Sequence, residues 1–227
     1  FGNSFYRRYL PEHLAAHKKN LDDAIRRLPQ LVSASLELEV QLAKQIPAMH
    51  GKPRKLAVVL DIDEILLSNI FMNKYEDTLH KFYAADYFTS SDGRPWPREE
   101  KLAPLLPGAL DLLVTLRKLG VEIILISGRA ESLRGETIEN FQKHGLVGPQ
   151  GVFVAGELEN PKTLRLNLCP DAKLPKPGES IRPFKEQKRL EVSADHRIVL
   201  NIGDQASDLG DYADNSIAIP HMFYYTE

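Results

Sequence analysis

The chain has 227 residues with 29 basic and 31 acidic side chains, a formal charge of −2, which excludes a broad basic face for a nucleic acid polymer. A hydrophobic share of 43% argues against disorder. No run approaches the roughly 18 apolar residues of a membrane span, so a soluble globular protein is expected.

The length suits one large α/β domain with additions, or two small domains. A single cysteine, Cys169, excludes an intramolecular disulfide and a cysteine-based metal cluster. The first residue is Phe1, so a trimmed N-terminus is expected, and an upstream signal peptide is compatible with it.

Residues 1–52 read as a helical segment. Leu14, Leu21, Ile25 and Leu28 follow helical spacing, and Pro29 is expected to break or restart the helix. A second stretch runs from Leu31 through Leu38 and Leu42 to Ile46, and Gly51-Lys52-Pro53 signals a loop. His13 and His17 stand one helical turn apart with no further ligand near them, so a solvated helix face is expected there rather than a metal site.

From residue 53 to 227 the pattern alternates. Short apolar runs at Leu56–Leu60, Val121–Ile126, Val152–Val154, Ile198–Ile202 and Ile217–Ile219 read as strands covered on both faces. Helical stretches lie between them, at about 108–118, 132–144 and 183–192. This predicts an α/β fold, a doubly wound parallel sheet, with any ligand site beyond the carboxyl ends of the strands. Residues 69–104, rich in aromatics from Phe71 to Trp96, and the proline-rich 156–183 read as insertions. They are expected to form a small, mainly helical cap with the N-terminal segment, its aromatics packing the cap core in preference to stacking on a nucleoside or aromatic leaving group.

The strand ends carry the chemistry. The first run ends in Asp61-Ile62-Asp63-Glu64, and paired acids after a buried strand repel each other unless a cation meets them. The second ends in Ser127-Gly128-Arg129, a turn able to hydrogen-bond an anion. The fourth ends in Gly203-Asp204-Gln205-Ala206-Ser207-Asp208, whose hard oxygens suit Mg²⁺ better than zinc or copper. An N-cap role for Asp204 or Ser207 is the plainer alternative. Gln205 either reaches the site or fills the turn.

Together with Phe184-Lys185 and Arg189, this order of motifs resembles the haloacid dehalogenase superfamily of phosphotransferases. Leu60-Asp61-Ile62-Asp63-Glu64-Ile65-Leu66-Leu67-Ser68-Asn69 is similar to the first motif of the acid phosphatases related to lipoprotein e and plant vegetative storage proteins, subfamily IIIB. Ile126-Ser127-Gly128-Arg129 and Asn201–Leu209 resemble that group's later motifs. The likeness covers about residues 53–219.

The resemblance implies a Mg²⁺-dependent acid phosphatase acting on small phosphate monoesters. Asp61 would be the nucleophile, forming an aspartyl-phosphate, and Asp63 the acid/base. Asp61, the Asp63 carbonyl and Asp204 would hold the metal, with Asp208 supporting it through water. Ser127, Gly128 and Lys185 would bind the phosphoryl oxygens. Lys185 is preferred to Lys188 because the aromatic before it and Arg189 after it match the motif. Ile65 stands where the family often has threonine, removing a hydroxyl near the acid/base, and Ser127 replaces a common threonine. The resemblance also implies a periplasmic or secreted location, and relatives often form dimers.

Two other readings compete. A phosphate-binding or storage protein on the same scaffold would have lost turnover, yet the nucleophile position that storage relatives replace holds Asp61 here. A receiver domain also gathers acids, a hydroxyl and a lysine, but lacks a second aspartate two positions on and is about half this length.

Overall fold

A computed structural model describes residues 2–46, 49, 51–68, 103–160, 165–176 and 179–220, with side chains from residue 11 onward. At its centre lies a five-stranded parallel sheet of order β3-β2-β1-β4-β5. The strands are β1 (Lys55–Leu60), β2 (Glu122–Ala130), β3 (Leu166–Cys169), β4 (His196–Gly203) and β5 (Ser216–Ala218). The helices are α1 (Gly2–Gln45), α2 (Ala109–Lys118), α3 (Arg134–Lys143) and α4 (Arg182–Asp195). This is the expected α/β architecture.

Alternation along the strands divides the apolar side chains between two faces. Leu56, Val58 and Leu60 of β1, with Ile123 and Leu125 of β2, join one large cluster with residues of α1, α2 and α3. Ala57, Val59, Ile124 and Ile126 face the other way and meet Val192 and Phe184 of α4. Pairing of β1 with β4 steps from Ala57–Ile198 to Val58–Leu200, so Val199 is an extra residue that bends β4 near its start.

The N-terminal helix differs from expectation. It runs unbroken through both Pro11 and Pro29. A proline inside a helix costs about 3 kcal/mol. Leu21 and Leu28 are fully buried and Val32 nearly so, and each such side chain contributes roughly 1.5–3 kcal/mol, so docking outweighs the missing hydrogen bond. The buried stripe reads His13, His17, Leu21, Ala24, Leu28, Val32, Ser35, Glu39 and Ala43, stepping by three or four residues.

Its polar members are fastened to the sheet domain. His17 Nε2 lies 3.1 Å from the Glu64 carbonyl, and Ser35 donates to Asp214 at 2.7 Å. Glu39 pairs with Arg54 at 2.7 Å and Arg197 at 3.2 Å. Burial pushes the Glu39 carboxyl up, but the two arginines outweigh it and hold the group below its ordinary value. Segment 1–52 is thus built into the sheet domain through α1. Of the two insertions expected to form a cap with it, 69–104 lies almost wholly outside the described residues, and 156–183 instead supplies the sheet strand Leu166–Cys169.

Two further expectations change. Val152–Val154 forms no strand; Phe153 makes an isolated bridge with Val147 and stacks on Phe141, centroids 6.2 Å apart. Its burial serves packing, and the edge strand is instead Leu166–Cys169, inside the proline-rich excursion. Strand β2 also continues past Ile126, because Ser127 pairs with Leu168 and Ala130 with Cys169.

Candidate active site

Parallel register aligns three carboxyl ends of the sheet. Leu60 lies beside Leu125 and Ile202, and the Asp61 N–H donates to the Ile202 carbonyl at 3.0 Å. Asp61, Ser127 and Asp204 therefore emerge along one edge. After Asp61 the chain turns sharply. Glu64 takes φ 58°, and its N–H bonds the Leu67 carbonyl at 2.8 Å. A left-handed, non-glycine residue is uncommon; here it turns the chain immediately after Asp63.

Ligand atoms of Asp61, Asp204 and Asp208 lie within 4.8 Å of one another. Lys185, on the first turn of α4, sets its ammonium against Asp208 and 3.3 Å from Asp61. Lys188 points elsewhere, to Glu191 at 2.7 Å. Burial, then repulsion from Asp208, pushes the Asp61 carboxyl well above the ordinary range. The same two causes push Asp204 up to about 7, with a Gln205 hydrogen bond pulling the other way. One lysine against three crowded carboxylates leaves the cluster short of positive charge. Hard oxygen donors in that state fit a divalent cation such as Mg²⁺.

The turn carrying Asp208 depends on a glycine. A Cβ on Gly203 would overlap the Asp208 side chain. Neither Asp204 nor Ser207 is the N-cap of the turn Ala206–Leu209. Gln205 holds that place, exchanging capping bonds with Asp208. Gln205 also reaches Asp204 at 2.9 Å.

A second group faces the first. Asp63 is gripped by Arg129, whose Nε lies 3.1 and 3.0 Å from the two carboxylate oxygens and whose Nη2 lies 2.7 Å from Oδ1. Ser127 is fully buried; its hydroxyl donates to Asp63 at 3.3 Å and accepts from the Arg129 N–H at 3.2 Å. Gly128 is buried in β2 between them. Arg129 received no role from the motif alone. Strand alternation is the signal that finds it, since residues 127 and 129 share a face.

Other candidates resolve differently. His13 and His17 are buried, not solvated, their ring centroids 6.5 Å apart, and burial lowers both imidazoles below their ordinary value. The reason is that they continue the apolar stripe of α1. Ile65 is fully buried in the main core. Cys169 is buried, its thiol pushed up to about 11 mainly by burial. Arg189 is also fully buried, and no nitrogen of its guanidinium has a hydrogen-bond partner among the described residues. Burial lowers its basicity, and Asp208 acts against that through space. Gly210 leaves it room. The aromatics of 71–96 lie outside the described residues.

Residues 19–227 match the family described as HAD superfamily, subfamily IIIB (Acid phosphatase). The chain belongs to this family. As a subfamily IIIB member, it is 30% identical over 170 residues to Acid phosphatase 1 of Solanum lycopersicum, covering 74% of this chain and 58% of that protein. It is 29% identical over 169 residues to Vegetative storage protein 1 of Arabidopsis thaliana, covering 74% and 54%. The chain thus spans a little over half the length of the curated relatives it matches. The class C acid phosphatase from Bacillus anthracis superposes with a TM-score of 0.58 at 23% identity, over 99% of this chain and 84% of that one. Its structure with tungstate bound gives 0.57 at 22%, over 97% and 82%. At these identities the structural likeness is one of fold.

Proposed function

We propose that this chain hydrolyses small phosphate monoesters with Mg²⁺ as cofactor, through an aspartyl-phosphate on Asp61. The observation that carries the reading is the convergence of Asp61, Asp204 and Asp208 around Lys185 at the carboxyl edge of the sheet. When bound, Mg²⁺ offsets the negative charge of the carboxylates and of the phosphate. The Asp61 and Asp204 carboxylates and the Asp63 carbonyl are the groups proposed to hold it, with Asp208 beside them.

The Asp61 oxygen attacks phosphorus as the bond to the leaving alcohol breaks, and Asp63 gives its proton to that alcohol. Asp63 then takes a proton from the water that attacks phosphorus and frees Asp61. Lys185, Ser127 and the backbone around Gly128 steady the phosphoryl oxygens. Ser127 serves this task once its hydroxyl turns from Asp63. Ile65 packs the core beneath the turn, so its missing hydroxyl bears on the acid/base only through the position of the turn.

A storage protein that binds phosphate without turnover is the second reading, supported by the likeness to Vegetative storage protein 1. Asp61 itself favours turnover. The acid phosphatase family supports a periplasmic or secreted location. Hydrolysis of p-nitrophenyl phosphate by purified protein, with Mg²⁺ and after chelation, separates the readings: metal-dependent release supports the enzyme, and phosphate binding without release supports the storage protein.

A further inference from the structure

We propose that Arg129 is a positioning residue that sets the orientation of Asp63 and thereby controls protonation of the leaving group. The proposal rests on the reading of Asp63 as acid/base. An aspartate on a turn has two free side-chain torsions, and proton delivery requires its oxygen to meet the leaving atom at hydrogen-bond distance. The Arg129 fork removes that freedom: Nε spans both carboxylate oxygens and Nη2 takes Oδ1. The fork is itself fixed. Arg129 is 3% exposed, and its Nη1 donates at 3.1 Å to Thr137 Oγ1 on α3, a fully buried hydroxyl.

The arrangement forms a chain of constraint from α3 through Arg129 to Asp63. A guanidinium stays charged whichever protonation state Asp63 holds, so its hydrogen bond to the oxygen left unprotonated remains. It favours the carboxylate, the form that takes a proton from water. To act as acid, Asp63 surrenders one of its Arg129 contacts and carries its proton on the oxygen released. The proton passes to the leaving oxygen as its bond to phosphorus breaks, and the bonding electron pair stays on that oxygen.

The experiment compares kcat/KM, which reports the leaving-group step, for 2,4-dinitrophenyl phosphate and for an alkyl phosphate such as glycerol 2-phosphate. The dinitrophenolate leaves without a proton; the alcohol requires one. Arg129→Gln is expected to lower the alkyl-to-aryl ratio at least about tenfold, part of the 10²–10⁴ that general acid–base catalysis contributes. Inorganic phosphate should inhibit with an unchanged constant. Thr137→Val keeps the charge and frees one arm, and should lower the ratio in the same direction by about threefold.

Equal losses on both esters, or a raised phosphate inhibition constant, would overturn the proposal by making Arg129 a general support or a phosphate ligand. If Arg129→Gln does not fold, an unchanged ratio in Thr137→Val overturns it. Asp63→Asn is the control: if it leaves the ratio unchanged, the acid/base reading of Asp63 fails. If its ratio falls while the other two variants keep theirs, only the role of Arg129 fails.

Discussion

The ammonium of Lys185 stands 3.3 Å from the carboxylate of Asp61. These groups come from opposite parts of the chain and meet because α4 packs its Val192 and Phe184 against the sheet face beside β1. Lys185, Arg189 and Val192 lie on the inner face of α4, all buried. The helix thus delivers Lys185 to the acid cluster while burying Arg189 and Val192 on the same face.

Lys185→Met should leave Asp61 and Asp208 facing each other without a cation. Turnover of p-nitrophenyl phosphate should fall by about 10² or more, the scale of losing one preorganised electrostatic contact. Without metal the variant should resist unfolding less than the wild type as pH rises above neutrality, and added Mg²⁺ should narrow the gap. Melting curves with and without Mg²⁺ check this.

Asp204 makes stability depend on pH in a direction opposite to that of most paired carboxylates. Its folded-state value is raised to about 7 by burial, then by Asp208. The stability it contributes is full below the ordinary carboxylate value of about 4 and is lost as pH rises through about 7. Metal-free protein should therefore lose melting temperature across that window, and Asp204→Asn should lose less. Addition of Mg²⁺ should restore the wild type above pH 7, where the carboxylate is ionised, and not Asp204→Asn.

His17 acts with the opposite sign. Burial lowers its basicity in the folded chain, so protons bind the unfolded state better. Stability should fall as pH drops below about 6.5. His17→Leu should remove this acid-side loss and cost about 1 kcal/mol near neutrality for the hydrogen bond to the Glu64 carbonyl. Denaturant titrations at several pH values measure both effects.

Gly203→Ala places a methyl group where the Asp208 side chain packs. The turn must shift, and displacement of about 1 Å costs roughly 10²-fold in rate. Turnover should fall by that order, and the Mg²⁺ concentration for half-maximal activity should rise. A metal titration of activity checks it.

Much of the fold is legible because buried parallel strands have a plain signature. The runs at Leu56–Leu60 and Ile198–Ile202 are largely apolar and β-branched, with Asp61 directly after the first and Asp204 one glycine beyond the second. Strand β3 is not legible in the same way: Leu166–Cys169 is four residues long and sits among prolines, whereas Val152–Val154 is more apolar yet forms no ladder, with Val152 and Phe153 buried by packing and Val154 exposed. Short apolar runs do not reveal whether burial comes with a ladder. Continuity of α1 through Pro29 depends on tertiary docking, which a local proline rule does not contain.

The carboxyl-edge positions of Asp61, Ser127 and Asp204 follow from where the apolar runs stop. The approach of Lys185 follows from helical spacing once α4 is known to pack by residues 185, 189 and 192. The grip of Arg129 on Asp63 requires β2 to extend beyond Ile126, and that extension comes from pairing with the strand the sequence hides. His13 and His17 are buried although their polarity suggests a solvated face, because they continue the stripe that also holds Leu21 and Leu28.

Every proposed role at the site depends on Asp61 acting as the nucleophile of a metal-dependent phosphomonoesterase. Steady-state hydrolysis of p-nitrophenyl phosphate with saturating Mg²⁺, by wild type and Asp61→Asn, tests it most directly. Clear turnover is expected from the wild type and none above background from the variant, with the variant still folded. Full turnover by Asp61→Asn would contradict it.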